Sequence, residues 1–346
     1  MKPGVMTAVL LIMAGLFSLD SFLARLERTE TLNEARSLAE KGRRLLADGN
    51  AEAAVIPLQR SNALVRDNSS YELSLANALL ESGKLDAAGE HLRRLLEKDS
   101  NDGSTNLAMA RLQEKRKNPG EAIAFYHRAI YGRWADANQA QTVRRELVHF
   151  LAAQEDRSQL LSELLLLQDG TKQTPQQQLQ MAHLFLLAGS PSRAAEMYRQ
   201  SIRQEPDNAD AYAGLADTQL ASGDFPAATS SLYQAKRRRP EDPSIEKKLA
   251  LATELSNLDP TPRRLSSKEK YARSARVLEM VQQDLAQCSG TPAAAPFAQR
   301  PKATTNEESE ELLTTAENLW KTRVTTCGSP QNPDSPLPAL IHKIQQ

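Results

Sequence analysis

The sequence predicts an all-α protein of stacked helix pairs, and three observations carry that expectation. Only 5% of the 346 residues are aromatic, while Ala, Leu, Gln, Glu and Arg dominate, the residues that lose least on entering a helix. Glycine recurs in one local setting at Gly49, Gly83, Gly189 and Gly223, and the first two and last two are each 34 residues apart. Small and large residues then fall at fixed places of that unit, as helices stacked on their neighbours require. Charge excludes other classes: 43 Lys and Arg balance 43 Asp and Glu, so no net field draws the chain to nucleic acid or an anionic membrane.

The chain opens with Lys2 and an uncharged apolar run of 15 residues, Val5 to Leu19. A positive start before a hydrophobic stretch is the pattern of an export signal or a membrane anchor. Both readings stay open. A cut after Ala24 puts Phe22 at the third residue before the cut, where a cleaved signal wants a small side chain. A spanning anchor of roughly 17–25 residues needs extension through Asp20 to Leu23. A buried core helix is the third reading. Residues 1–24 are set apart as a signal or anchor segment that exports the remainder, with the periplasm or the inner membrane of a bacterial envelope as the expected location. The helical pattern from Asp20 through Arg25, Glu30 and Glu34 is expected to cap the first end of the repeats.

Units starting at Ala35, Ser69, Gly103, Gln141, Pro175 and Ala209 bring the pattern into phase. Their eighth residues are Gly42, Ala76, Ala110, Val148, Ala182 and Ala216, and their twentieth are Ala54, Ala88, Ala122, Leu160, Ala194 and Ala228. Mostly small residues there let helices approach closely. Position twenty-four is large: Leu58, Leu92, Tyr126, Leu164, Tyr198 and Leu232. Pro206 and Pro240 stop second helices. These residues resemble the tetratricopeptide repeat (TPR) family, whose helix-turn-helix units stack into an α-solenoid with a right-handed superhelix. The resemblance runs over 35–68, 69–102, 103–136, 141–174, 175–208 and 209–242. The copy at 141–174 is weak, lacking the small eighth residue and the turn glycine, and the insert Ala137–Ala140 before it is expected to bend the superhelix.

A degenerate seventh unit occupies 243–262, where Pro260 and Pro262 interrupt it. A capping helix follows in 263–288, from about Ser266, with Tyr271, Val277, Leu278, Val281 and Leu285 on its apolar face. Residues 289–305 are rich in Ser, Gly, Thr, Pro and Ala and are expected to be a disordered linker. A tail helix is expected over 306–325, capped by Thr305 or Asn306, with a stripe of Leu312, Leu313, Ala316, Leu319 and Trp320. Residues 326–346 read as a loose, proline-rich tail. Cys288 and Cys327 suit a disulfide in an exported chain, two free thiols being the alternative.

No catalytic constellation is apparent. His91, His127, His149, His183 and His342 form no His-Glu-x-x-His pair and lie near no cysteine at zinc spacing, so no metal or cofactor is expected. Lys236 to Arg239 end a helix, where cations complement its dipole, and nucleic acid is not expected. Trp134, at a repeat boundary, is expected to pack between helices.

The resemblance implies a concave groove lined by positions two, five, nine and twelve of the first helices. Position nine reads Arg43, Asn77, Arg111, His149, His183 and Asp217. Position five supplies Leu73, Leu107 and Leu179, and position twelve Leu46, Leu80, Leu186 and Leu220. The lysine by which some family members clamp a terminal carboxylate is not reproduced, since Ala39, Leu73 and Leu107 stand there. The expected role is a non-catalytic scaffold holding a protein or peptide, not strongly acidic, in a bacterial envelope complex. Two alternatives remain: a structural assembly subunit using its convex face or tail, and an accessory chain of a cell-wall or glycan enzyme. Neither the partner nor the oligomeric state is legible in the sequence.

Overall fold

A computed structural model of the chain describes residues 3–136, 138–168, 174–290, 305–328 and 335–345, with side chains described from Phe22 onward. The chain forms two compact units, residues 1–154 and 155–346. The described residues contain no strand, and their sole β contact is an isolated bridge between Asp102 and Arg133.

The first unit comprises α1 (Pro3–Ala47), α2 (Ala51–Leu64), α3 (Ser69–Glu81), α4 (Leu85–Lys98), α5 (Gly103–Lys115), α6 (Pro119–Ile130) and α7 (Gln139–Ala153). Each helix packs on the next, and the first helices α1, α3 and α5 also touch in turn. The repeat pattern is the cause. Ala54, Ala88 and Ala122 have no exposed surface, and neither do Leu58, Leu92 and Tyr126, which fill the space that those small residues leave. At Gly42 an added Cβ would lie 2.4 Å from the Leu58 side chain, so this crossing admits only glycine. Ser61, fully buried, donates its hydroxyl to the Ala35 carbonyl at 2.7 Å, which satisfies a polar group the crossing would otherwise strand. Trp134 packs as expected: its Nε1 donates to the Ala129 carbonyl at 2.7 Å and its ring covers the Cα of Gly103.

The second unit comprises α8 (Arg157–Gln168), α9 (Pro175–Leu187), α10 (Pro191–Gln204), α11 (Ala209–Ala221), α12 (Phe225–Arg238), α13 (Pro243–Leu258), α14 (Ser267–Ser289), α15 (Asn306–Cys327) and α16 (Leu337–Ile344). Ala216, Ala228, Leu232, Ala235, Ile245, Leu249 and Ala252 join α11, α12 and α13 in one core. A second core closes the end of the stack with Phe225, Leu255, Val277, Leu278, Val281, Leu312 and Ala316. Ser266 and Thr305 cap α14 and α15, each in a reciprocal capping box with the glutamate three residues on.

α14 and α15 run parallel. Arg323 Nε donates to Asp284 Oδ2 at 2.5 Å, and Cys288 is bridged to Cys327 with Cα atoms 6.1 Å apart. Both pairs have the same sequence offset, 39 residues, whereas antiparallel helices pair residues whose offset changes along the helix. Of the expected linker, 289–305, residues 291–304 lie outside the described residues, while Ser289 and Gly290 end α14 and Thr305 caps α15.

Two expectations are corrected. The last residues are not wholly loose: Leu337, Leu340 and Ile341 of α16 are almost completely buried in the terminal core, because a proline-rich entry still leaves an eight-residue amphipathic turn that finds an apolar seat. The segment from Asp20 to Glu34 does not fold as a separate cap. It continues α1 without a break, and Phe22, Leu23 and Leu26 are 60%, 53% and 48% exposed. Among the described residues no helix is long and apolar enough to cross a membrane. The expected signal or anchor rests on side chains before Phe22, outside those described.

Position fifteen of each unit is a left-handed turn. Gly49, Gly83, Gly189 and Gly223 have φ between +70° and +79°, and the two units without glycine place Lys117 (φ +60°) and Glu155 (φ +59°) in the same conformation.

Candidate functional site

In the second unit the first helices α9, α11 and α13 line an open cleft of about 480 Å³. Its walls come from successive repeats at matching positions: Gln176, Leu179, Gln180 and His183 from α9, Asp210, Ala213, Gly214 and Asp217 from α11, and Ser244 and Lys248 from α13. A helix turns 100° per residue, so positions two, five, six and nine share one face. Tyr198 forms the floor, 4% exposed, with its ring where a Cβ on Gly214 would fall. Burial, reinforced by the charge of Asp217, pushes the Tyr198 hydroxyl up to about 12, so it stays a neutral donor.

Two ion pairs brace the rim. Arg239 makes a two-pronged contact with Asp210, both bonds 2.9 Å, and also reaches Asp242 at 3.2 Å. Lys248 Nζ donates to Asp217 at 2.8 Å. The bond from Arg239, with backbone N–H groups at the start of α13, holds the Asp242 carboxyl below its ordinary value. Three carboxylates against two cations leave this cleft slightly negative, and exposed Gln176, Gln180 and His183 add further polar side chains.

The first unit repeats the pairing with reversed polarity. Arg111 (position nine of α5) grips Glu146 (position six of α7) with Nε to Oε1 at 2.6 Å and Nη2 to Oε2 at 2.7 Å. Tyr126, at the same repeat position as Tyr198, donates to Glu114 at 2.6 Å and lies 3.0 Å from Glu146. Burial pushes the Glu146 carboxyl up, but the Arg111 bonds and charge outweigh it and hold it below the usual carboxylate range. Glu114 goes the other way, raised by burial and by the charge of Glu146 against the opposing Tyr126 bond.

The residues expected to line a groove divide accordingly. Leu179, His183 and Asp217 meet in the cleft of the second unit. Arg43 and His149 are exposed, while Asn77, Leu73, Leu107, Leu46 and Leu186 are half-buried. At position twelve one residue is corrected: Leu80 is 1% exposed and cannot line a groove, while Leu220, half-buried, packs on both cores of the second unit. Position twelve stands one turn beyond buried position eight, which turns Leu80 inward. Arg111 and Asp217 are also not free groups as a polar row implied, since each is paired to position six of the next repeat. That position was missed, and Glu146 and Lys248 six residues into their units are the signal that marks it. Among the described residues no cluster of three or more His, Cys, Asp or Glu side chains is placed to hold a metal ion.

Two family models described as tetratricopeptide repeat match residues 73–138 and 185–252. Solved structures similar to the chain include Pseudomonas aeruginosa PilF, at 19% identity over 65% of this chain and 99% of that one, with a TM-score of 0.45. YrrB, described as a TPR protein with an unusual peptide-binding site, is 17% identical over 57% of this chain and 97% of its own, with a TM-score of 0.44. The C-terminal part of a TPR repeat-containing protein from Cytophaga hutchinsonii is 10% identical over 87% of this chain and 99% of its own, with a TM-score of 0.48. No curated protein matches the chain. The matched repeats support the TPR family, whose fold is generally a non-catalytic scaffold that binds proteins or peptides.

Proposed function

We propose that this chain is a TPR scaffold of a bacterial envelope that holds a neutral or basic protein segment in the cleft of its second unit. The observation that carries the reading is the cleft itself. Three first helices present Leu179 and Ala213 beside Gln176, Gln180, His183 and the slightly negative rim, which suits an extended segment with an apolar anchor and polar or cationic neighbours. A strongly acidic segment meets three carboxylates. The disulfide between Cys288 and Cys327 supports an oxidising, exported location, in keeping with Lys2 and the apolar run behind it.

The test uses cross-linking in intact cells and mass identification of captured partners. Gln176, Gln180 and His183 are exposed, so replacing all three by Ala leaves the fold intact at a cost within about 0.5 kcal/mol each. Partner recovery is expected to fall. Unchanged recovery by the folded triple variant rules out this cleft.

A further inference from the structure

α1 is far longer than its intramolecular partner. Its bonds to α2 lie in its last third, where Arg60 pairs with Glu34 at 3.1 Å and Ser61 bonds to Ala35. α2 ends at Leu64, which with Val65 lies beside Thr31 and Leu32. Ala24, Glu27 and Arg28 line the same shallow cleft as these four, whereas Phe22, Leu23 and Leu26 on the rest of that stretch are among the large apolar side chains most open to solvent.

Phe22, Leu26, Thr29 and Asn33 follow one another at four, three and four residues, the a and d spacing of a heptad. At 100° per residue this face lies roughly opposite Ala35, Ala39 and Gly42, which meet α2, so a helix seated on it clears the repeats. Arg25 and Glu30 then hold the flanking g and e positions. In a parallel pair, g of one helix meets e of the next heptad on the other, five residues on, so Arg25 meets Glu30 of the second helix twice over. In an antiparallel pair g meets g and e meets e, which over this segment sets Arg25 against Leu32 and Glu30 against Leu23 and forms no ion pair. Asn33 takes an a position, where a lone asparagine selects two strands in register. Arg25, Glu27, Arg28 and Glu30 sum to zero charge, so an anionic lipid surface has little hold on this stretch.

We propose that the projecting part of α1, Phe22 to Asn33, pairs with the same segment of a second copy of this chain as a parallel two-stranded coiled coil. The helix itself does not end at Phe22, since α1 begins at Pro3. The inference stands apart from the peptide cleft and survives if that reading fails.

The experiment uses the full chain in uncharged detergent micelles, its two native cysteines being occupied by their own disulfide. Leu26→Cys at an a position is expected to give a disulfide-linked dimer on mild oxidation, and Arg28→Cys, on the opposite face, is expected to stay a monomer on denaturing gels. Arg25→Glu and Glu30→Arg, each alone, are expected to weaken dimerisation at least tenfold by analytical ultracentrifugation, and the double reversal to restore it. Equal cross-linking at both cysteines, none at position 26, or single reversals without effect would each overturn the pairing and leave the membrane or another protein as the occupant of this face.

Discussion

Asp284 and Arg323 face each other at 2.5 Å across two helices that run the same way, and four residues on from each stands one of the bridged cysteines, Cys288 and Cys327. The ion pair and the disulfide therefore hold one register. Arg323 also donates to the Gly328 carbonyl, so its guanidinium ties α14, α15 and the residue after α15 together. Closing a span of 39 residues is worth about 4 kcal/mol in the chain-entropy account. Changing both cysteines to Ser is expected to lower the melting temperature of the terminal core. Trp320 in α15 and Trp134 in the first unit separate the two regions. In a Trp134→Phe background, emission should report loss at the cap, while circular dichroism of the remaining helices melts as before.

The left-handed turns predict a gain. Lys117 and Glu155 occupy a conformation that costs an ordinary side chain about 1–2 kcal/mol, of which glycine returns part through its greater freedom when unfolded. Lys117→Gly and Glu155→Gly are each expected to raise stability by up to about 1 kcal/mol, read from the midpoint of urea unfolding. A loss of stability at both sites would mean that their side chains make contacts worth more than the backbone strain.

Close crossings predict a loss. Ala228 is fully buried against α11 and α13, so Ala228→Leu overpacks the core by about 1–3 kcal/mol. At Gly103 an added Cβ falls 2.3 Å from the Trp134 ring, and Gly103→Ala is expected to displace that ring and shift Trp134 emission, with the paired variant Gly103→Ala, Trp134→Ala recovering much of the loss.

Two carboxylates, Glu72 buried and Glu114 half-buried, predict opposite responses to acid. The Glu72 side chain is 4% exposed and meets His91, Arg94 and Lys98. Burial pushes its carboxyl up, but those bonds and charges outweigh it and hold it below the ordinary 4.5. A depressed carboxylate stabilises fully above its unfolded value and loses that contribution as pH falls through its folded value. Glu72→Gln should therefore cost stability at neutral pH and narrow the gap to the parent protein as pH falls below the ordinary 4.5. Glu114 is raised, so ionising it weakens the fold as pH climbs from its unfolded to its folded value. Glu114→Gln keeps an acceptor for Tyr126 and is expected to stabilise the protein at neutral pH and to do little in acid. Urea unfolding across that pH range checks both.

The helix pairs were legible because their information is local and repeated. A small residue at position eight or twenty matters only to the neighbouring helix, and six copies of one pattern place Ala54, Ala88, Ala122, Ala194 and Ala228 in the core without knowledge of anything distant. The turn conformation at position fifteen was equally local, and it extends to Lys117 and Glu155, where no glycine marks it. The cysteines were legible as a candidate pair by their placement alone.

Tertiary structure decided what depends on two distant stretches meeting. Composition makes the residues around Pro336 a loose tail, yet Leu337, Leu340 and Ile341 are buried, because an apolar seat from α13, α14 and α15 exists only once those helices are assembled. Periodicity shows that Ser267–Ser289 and Asn306–Cys327 are helices but carries no sign of direction, and only the constant offset of the Asp284–Arg323 and Cys288–Cys327 pairs makes them parallel. In the same way the sequence marks Arg111 and Asp217 as polar groups on a helix face, and whether they stand free or are neutralised by Glu146 and Lys248 depends on the rotation of the next repeat, a property of the packed stack and not of either helix.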